Sequence, residues 1–441
     1  MEKFGSPRNI RDDCPVSPTA LEKAQFAKTY IEMKYSQKKK QEEEKIIEWE
    51  KINRHMNDLG LSATEKKIMK SEILHNEAQK LRENRREISV FDFEPESIIG
   101  RGAFGEVRIV RHKKTGEVFA MKKMKKSDMI NKNQVQHVKS ERNILALAQN
   151  DWVVELKYSF QDENYLYLVM EYLSGGDLMN ILIKRDILPE NEARIYLAEC
   201  IMAVESVHKL NYIHRDLKPD NILIGVDGHL KLADFGLCKC NDLSYANPFE
   251  NLTKLEEDYS QKIATRHERN RKLLYSTVGT PDYIAPEVFS RAGYDERVDW
   301  WSLGVIFFEM VVGYPPFYAD EPKVTCQRIL NWKRTFKIPE EAKLSPEAQD
   351  LINKLITDKN NRLGTNGANE IKNHPFFIGV DWENLRNKPA LWIPQVDSEV
   401  DSRNFDKFEE IEAFYPPIPF QKKKSKRKDG NFIGFTFKKN R

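Results

Sequence analysis

The sequence predicts an α+β protein whose strands are gathered ahead of its helices, with a helical hairpin in front and an extended tail behind. Three observations carry this. Apolar and β-branched runs flank the glycine-rich turn Gly100–Gly105 and return at 118–122 and 165–172. Apolar residues then recur at helical spacing through 193–207 and 305–312. Two hydroxyl-to-carboxylate pairs, Thr19–Glu22 and Ser62–Glu65, have the spacing of capping boxes.

The 441 residues suffice for two or three domain-sized units, and an apolar fraction of 40% allows a large core beside solvated segments. Net charge is only +3 from 71 basic and 68 acidic residues, so the chain as a whole makes no case for nucleic acid. Five cysteines (Cys14, Cys200, Cys238, Cys240 and Cys326), odd in number and scattered, argue against a disulfide framework and for a reducing compartment. Cys238-x-Cys240 lacks both the spacing and the second pair of a zinc knuckle. No stretch reads as a signal peptide or a bilayer span, so the expected location is the cytosol, with the nucleus open.

Residues 1–18 read as disordered. Helix is expected from Thr19 to about Asp58, a stop at Leu59-Gly60, and a second helix from Ser62 to about Arg86. This arm has basic runs (Lys38–Lys40, Lys66-Lys67, Arg82–Arg86) and sparse apolar positions such as Phe26, Ile31, Ile46, Trp49 and Met56. It buries too little to stand alone, so it reads as a docking arm for an acidic partner, with a solvated spacer as the rival.

In the strand region, Gly100-Arg101-Gly102-Ala103-Phe104-Gly105-Glu106-Val107 is G-x-G-x-x-G-x-V. Dinucleotide folds share the glycines, but there a helix must follow; here Val107–Val110 favours strand-turn-strand. Glycines let backbone N–H groups approach phosphate without a Cβ in the way. A second strand ends at Lys122. From about Asn133 to Ala148 the pattern is helical, and Glu141 lies in the apolar stripe of Val138 and Leu145, where a carboxylate needs a partner. Tyr165–Tyr172 reads as a buried strand running into a linker, and Gly175-Gly176-Asp177 starts a helix.

The loop His214–Asn221 holds two acids, three bases and an amide between apolar runs. A capped polar turn is the plain reading; so much charge in eight residues also fits a catalytic loop. A short hairpin around Asp227-Gly228 then delivers Asp234-Phe235-Gly236, a carboxylate suited to a hard cation.

Taken together, the glycine loop, Lys122, Glu141, the H-R-D-x-K-x-x-N loop, Asp234-Phe-Gly, Ala285-Pro-Glu and Arg362 resemble a protein kinase over about Phe91–Phe377. The resemblance implies the bilobal kinase fold and the cofactors ATP and Mg²⁺. It implies that Ile99, Gly100, Arg101, Gly102, Ala103, Phe104, Gly105, Glu106, Val107, Ala120, Lys122, Met170, Glu171 and Leu173 surround the nucleotide. Asn221 and Asp234 would hold metal, Asp216 would accept the hydroxyl proton, and Lys122 and Lys218 would neutralise phosphate charge. Glu141 would pair with Lys122, Arg362 with Glu287, and Asp299 would bind the catalytic-loop backbone. Asp177 and Asp220 would read basic residues in protein substrates. Lys218 and Thr280 are similar to the serine/threonine-specific AGC group.

The resemblance narrows further. Asp234–Glu287 is longer than usual, and its excess, about 240–274, ends in a basic run just before Ser276, as in the NDR/LATS branch. There the insert is autoinhibitory and Ser276 matches the activating phosphorylation site; a phosphate on it would recruit Arg215. The insert's body departs from the branch's pattern. Beyond Phe377 the chain is expected to wrap, not to build a new domain. Asn404–Phe408 resembles the tail element that crosses the ATP cleft. Phe432–Phe437 resembles the hydrophobic motif, whose rings fill a groove beside the Glu141 helix and whose Thr436 an upstream kinase phosphorylates. Residues 19–87 resemble the arm that binds Mob-type coactivators. Lys422–Lys428 reads as a nuclear signal, an anionic-surface patch or a solvated linker. A rival of another class, a pseudokinase-like scaffold binding through arm and tail, is opposed by intact Lys122, Asp216, Asn221 and Asp234.

Overall fold

The computed structural model describes residues 18–84, 86–102, 105–132, 134–148, 150–240, 281–289, 294–416, 430–432 and 434–439, in two units, 1–86 and 87–441. Residues 1–17, the body of the 240–274 insert, Ser276, Thr280 and Lys422–Lys428 lie outside the described residues, as do Ala103 and Phe104.

The first unit is a helical hairpin of α1 (Pro18–Asp58) and α2 (Ala63–Asn84). Gly60 takes φ +64°, which a Cβ would disfavour, and ends α1. The Ser62–Glu65 box forms as expected: the Ser62 amide donates to Glu65 Oε2 (2.8 Å) and the Glu65 amide to Ser62 Oγ (3.3 Å). The side chains of Thr19–Glu22 lie outside the described ones. Ile31, Tyr35, Ile46, Ile47 and Leu59 are exposed, as a hairpin with sparse apolar positions must leave them.

The second unit opens with a sheet of β1 (Phe93–Gly102), β2 (Gly105–His112), β3 (Val118–Lys125), β4 (Leu156–Gln161) and β5 (Tyr165–Glu171). Lys122 sits inside β3, not at its end. Between β3 and β4 stand α3 (Lys126–Asn131), which the sequence pattern does not announce, and α4 (Val135–Leu147). The helical part follows: α5 (Leu178–Arg185), α6 (Glu190–His208), α7 (Arg297–Val312), α8 (Pro322–Leu330), α9 (Trp332–Thr335), α10 (Pro346–Leu355) and α11 (Ala368–Lys372). Two small ribbons, β6 (Tyr212–Ile213) with β9 (Lys239–Cys240) and β7 (Ile222–Ile224) with β8 (Leu230–Leu232), frame the loops that carry charge. α7 is buried from Val298 to Val312, so it is covered on every face and forms the axis of this lobe.

The tail wraps, as expected, and its end adds β10 (Phe437–Lys438) beside β4, giving a sheet of order β1-β2-β3-β5-β4-β10. Phe414 joins the core of the sheet's outer face with Phe93, Phe119, Met121, Phe160 and Tyr167.

Arg362 is a fully buried cation of the helical lobe. Its Nη1 bonds Glu287 Oε1 and the Arg297 carbonyl (2.8 Å), and its Nη2 bonds Glu287 Oε2 (3.1 Å) and the Thr357 carbonyl (2.9 Å). The guanidinium also lies over the Trp301 ring at 5.1 Å. Removing one member of a buried pair strands the other. Arg362→Leu should therefore cost about 3–5 kcal/mol in urea unfolding; a loss under about 1 kcal/mol would show that Glu287 finds water instead.

Candidate active site

β3 and α4 bring Lys122 and Glu141 together. Lys122 Nζ lies 2.7 Å from Glu141 Oε1 and 3.1 Å from Asp234 Oδ1. Glu141 is 2% exposed, so burial raises its carboxyl above the usual range while Lys122 opposes the shift. Burial also acts against the Lys122 charge, but Asp234 and Glu141 outweigh it and hold the ammonium above its ordinary value. Lys122, foremost, lowers Asp234 to about 2, so its carboxylate is charged throughout the neutral range.

The catalytic-loop backbone is fixed from below by Asp299 of α7, which is fully buried. Its Oδ2 accepts from the His214 amide (2.9 Å) and from His208 Nε2 (2.8 Å), and its Oδ1 accepts from the Arg215 amide (2.9 Å). Arg215 is thereby held at φ +68°, and Asp234 stands at φ +53°. Neither position is relaxed for a side chain, and such strain persists only where the surroundings over-determine it. His214 Nε2 faces the Ala233 carbonyl at 3.1 Å while its Nδ1 faces the Asp216 amide at 3.4 Å. The first contact needs a donor and the second an acceptor, so the ring is neutral. Burial lowers its pKa accordingly.

Asp216 Oδ2 receives Asn221 Nδ2 (3.0 Å) and lies 3.2 Å from Lys218 Nζ. Asn221 Nδ2 also bonds the Asp216 carbonyl (2.7 Å), which leaves the Asn221 Oδ1 as the atom free to meet a cation. The Ala233 amide donates to the Asn221 carbonyl (2.9 Å), tying the two ends of the β7–β8 ribbon.

The nucleotide side is built by β1, β2, β3 and β5. Gly100 pairs with Val107 and Ala120 with Met170, while Ile99 stands at a register irregularity between Ile98 and Gly100. A Cβ on Gly102 would meet nothing within 4 Å, whereas one on Gly105 would lie 1.9 Å from the Lys123 carbonyl. Gly105 is needed by the fold; Gly102 leaves open room over the cleft. These residues fit a nucleotide polyphosphate and a hard cation. Leu173 is buried. The Glu171 carboxylate is already taken by Lys231 Nζ (2.7 and 2.9 Å) and the Glu155 amide (2.8 Å), and its own amide donates to the Glu155 carbonyl (3.0 Å).

Residues 93–377 match the protein kinase domain family, and residues 396–437 match the protein kinase C terminal domain family. The chain is 45% identical to the probable serine/threonine-protein kinase ndrB of Dictyostelium discoideum, over 97% of this chain and 83% of that protein. It is 42% identical to the serine/threonine-protein kinase tricornered of Drosophila melanogaster, over 96% and 95%, and 43% identical to the serine/threonine-protein kinase CBK1 of Pneumocystis carinii, over 98% and 90%. The chain is an AGC serine/threonine protein kinase of the NDR/LATS type.

The kinase tail makes contacts that motif reading does not reveal. Asn404 Nδ2 bonds the Ser174 carbonyl (3.0 Å), and Asn180 Nδ2 bonds the Asn404 carbonyl (3.1 Å). A Cβ on Gly176 (φ +78°) would lie 2.5 Å from that carbonyl. Further on, cations from β1, β2 and β3 reach the tail. Arg101 of β1 bonds the Glu409 carbonyl, Arg108 of β2 pairs with Glu410 (2.8 Å), and Lys123 of β3 bonds the carbonyls of Ala413 (2.9 Å) and Phe414 (3.1 Å). The acidic, aromatic stretch Phe408–Tyr415 was the available signal.

Phe432 and Phe435 are fully buried beside α4, where Gly434 accepts from Arg142 Nη2 and the Phe435 carbonyl accepts from Ser159 Oγ (2.7 Å). Thr436 is exposed. Arg215 bonds the Leu237 carbonyl and the Tyr294 hydroxyl (Nη1, 2.6 Å).

Asp177 caps α5, its Oδ1 accepting the Asn180 amide at 2.8 Å, and burial, chiefly, pushes its carboxyl up to about 7. The folded value lies above the unfolded one of about 3.9. The linked stability is thus complete below about pH 3.9 and is lost as pH rises through about 7. Asp177→Asn keeps a capping side chain and removes the titration. Relative to the native kinase, its stability should rise between about pH 4 and 7 in urea unfolding; a difference that does not change with pH would contradict the assignment.

Proposed function

We propose that this serine/threonine protein kinase transfers the γ-phosphoryl of ATP, in a Mg²⁺-dependent reaction, to protein hydroxyls flanked by basic residues. The supporting observation is the convergence of Lys122, Glu141 and Asp234 within 3.1 Å contacts beside the Asp216–Lys218–Asn221 cluster. Bound there, Mg²⁺–ATP supplies the phosphoryl group and the cationic charge that offsets its oxygens. Asp216, its carboxylate oriented by Asn221 and Lys218, positions the acceptor hydroxyl and takes its proton. Lys218 balances that carboxylate and faces the transferred charge. Lys122, held by Glu141, grips the phosphate chain. Asn221 Oδ1 and the Asp234 carboxylate are the atoms that would hold metal. Asp177 and Asp220 give the substrate side its preference for basic sequences.

Regulation follows the same reading. The exposed apolar positions of the 19–87 arm support a Mob-type coactivator as its partner. Phosphate on Thr436, added by an upstream kinase, strengthens docking of the Phe432 and Phe435 rings, and phosphate on Ser276 draws Arg215 from its present partners. We place this activity in the cytoplasm, with the nucleus as a second site.

With purified kinase, Mg²⁺–ATP and a basic peptide, Asp216→Asn should slow phosphoryl transfer by about 10²–10⁴-fold at unchanged ATP affinity. Comparable rates in the two proteins would overturn the role of Asp216.

A further inference from the structure

Asn221 and Asp234 stand together at the open end of the antiparallel β7–β8 hairpin, where Ile222 pairs with Leu232, so whatever fixes the turn at the other end sets the register that aims both side chains. The turn is held by His229, which is 5% exposed. Its Nδ1 lies 2.6 Å from Glu199 Oε1 of α6, and its Nε2 lies 3.1 Å from the Lys388 carbonyl in the segment that begins the tail. Glu199 is itself buried, and its Oε2 accepts the Leu230 amide at 2.9 Å.

A carbonyl cannot donate. The Lys388 contact therefore requires a proton on Nε2, and the 2.6 Å Glu199 contact requires a second one between Nδ1 and Oε1. Whether that second proton rests on the ring or on Glu199, the pair holds one more than a neutral imidazole beside a carboxylate. The charged groups around it agree. Glu199 approaches from α6 and Asp227 from the turn, both favouring the proton. Arg386 approaches from the tail segment and opposes it, but its charge is shared with Asp227 (3.6 Å), and its Nη1 is bonded to the Leu230 carbonyl (3.1 Å). Tyr196 of α6 also faces Glu199. Removing the proton leaves one N–H for two buried acceptors and frees the turn from either α6 or the tail.

We propose that the doubly protonated His229–Glu199 pair is a positioning unit for Asn221 and Asp234, so that phosphoryl transfer carries a titration belonging to a residue outside the cleft. A histidine whose folded pKa is raised contributes stability that is complete below its unfolded value of about 6.5 and is lost as pH rises through the folded value. The test has two arms. In full-length kinase with ¹⁵N-labelled histidine, with His229→Gln giving the assignment, the His229 nitrogens should titrate above pH 6.5. In parallel, kcat at saturating Mg²⁺–ATP is measured from about pH 6 to 9; this arm rests on the nucleotide reading above, and the titration does not. The native kinase should lose about threefold or more of its rate over an alkaline limb that is absent from His229→Gln, with KM for a basic peptide unmoved. Titration of His229 at or below about 6.5, or the same alkaline limb in both proteins, overturns the proposal. Absence of any turnover with Mg²⁺–ATP would count against the function reading instead, and the titration would then decide the protonation.

Discussion

The buried ion pair between Lys122 and Glu141 is the constraint on which the rest of this kinase is arranged. A carboxylate 2% exposed is costly without a partner, and Lys122 reaches it at 2.7 Å. The same ammonium contacts Asp234 at 3.1 Å, so β3, α4 and the Asp234 loop meet at one nitrogen. If α4 moves away, Lys122 and Asp234 lose a neighbour and Glu141 is stranded in an apolar setting. The pair is thus a position gauge for α4, and its energetic importance lies more in the penalty for breaking it than in the net worth of making it.

What holds α4 in that position comes largely from the far end of the chain. Phe432 and Phe435 fill the groove beside it, Arg142, the neighbour of Glu141, bonds the Gly434 carbonyl, and β10 adds to β4. The preceding stretch is stitched to the glycine-loop strands by Arg101, Arg108 and Lys123. The tail therefore spans the nucleotide side and the α4 side of one lobe. At the cleft floor, a second buried carboxylate, Asp299, sets the strained Arg215 backbone.

Much of this was legible in the sequence, for a physical reason. Short motifs such as His214–Asn221, Asp234–Gly236 and Gly100–Val107 place their chemistry within one turn, so spacing alone carries it. Glu141 betrayed itself by standing in an apolar stripe, and Asp299 and Arg362 by resemblance. The contacts of the tail with β1, β2 and β3 escaped because their partners lie some 300 residues apart in sequence: Arg101 and Glu409 each look like ordinary surface charges. Glu199 and His229, only 30 residues apart, escaped because they are a helix acid and a turn histidine whose meeting depends on the packing of β8 against α6. The α3 helix was missed because Lys126–Asn131 is too short to show a period. The partner of the Glu171 carboxylate, Lys231, was likewise not legible, since 60 residues separate them.

The claim that the tail acts on catalysis through the α4 gauge is tested most directly by a double-mutant cycle on kcat between Phe435→Ala and Glu141→Gln, with Mg²⁺–ATP saturating. Phe435→Ala should slow the native kinase by about tenfold or more and have little further effect once Glu141 is Gln, giving a coupling of about 1–3 kcal/mol. Effects that multiply independently, with coupling below about 0.5 kcal/mol, would contradict the account.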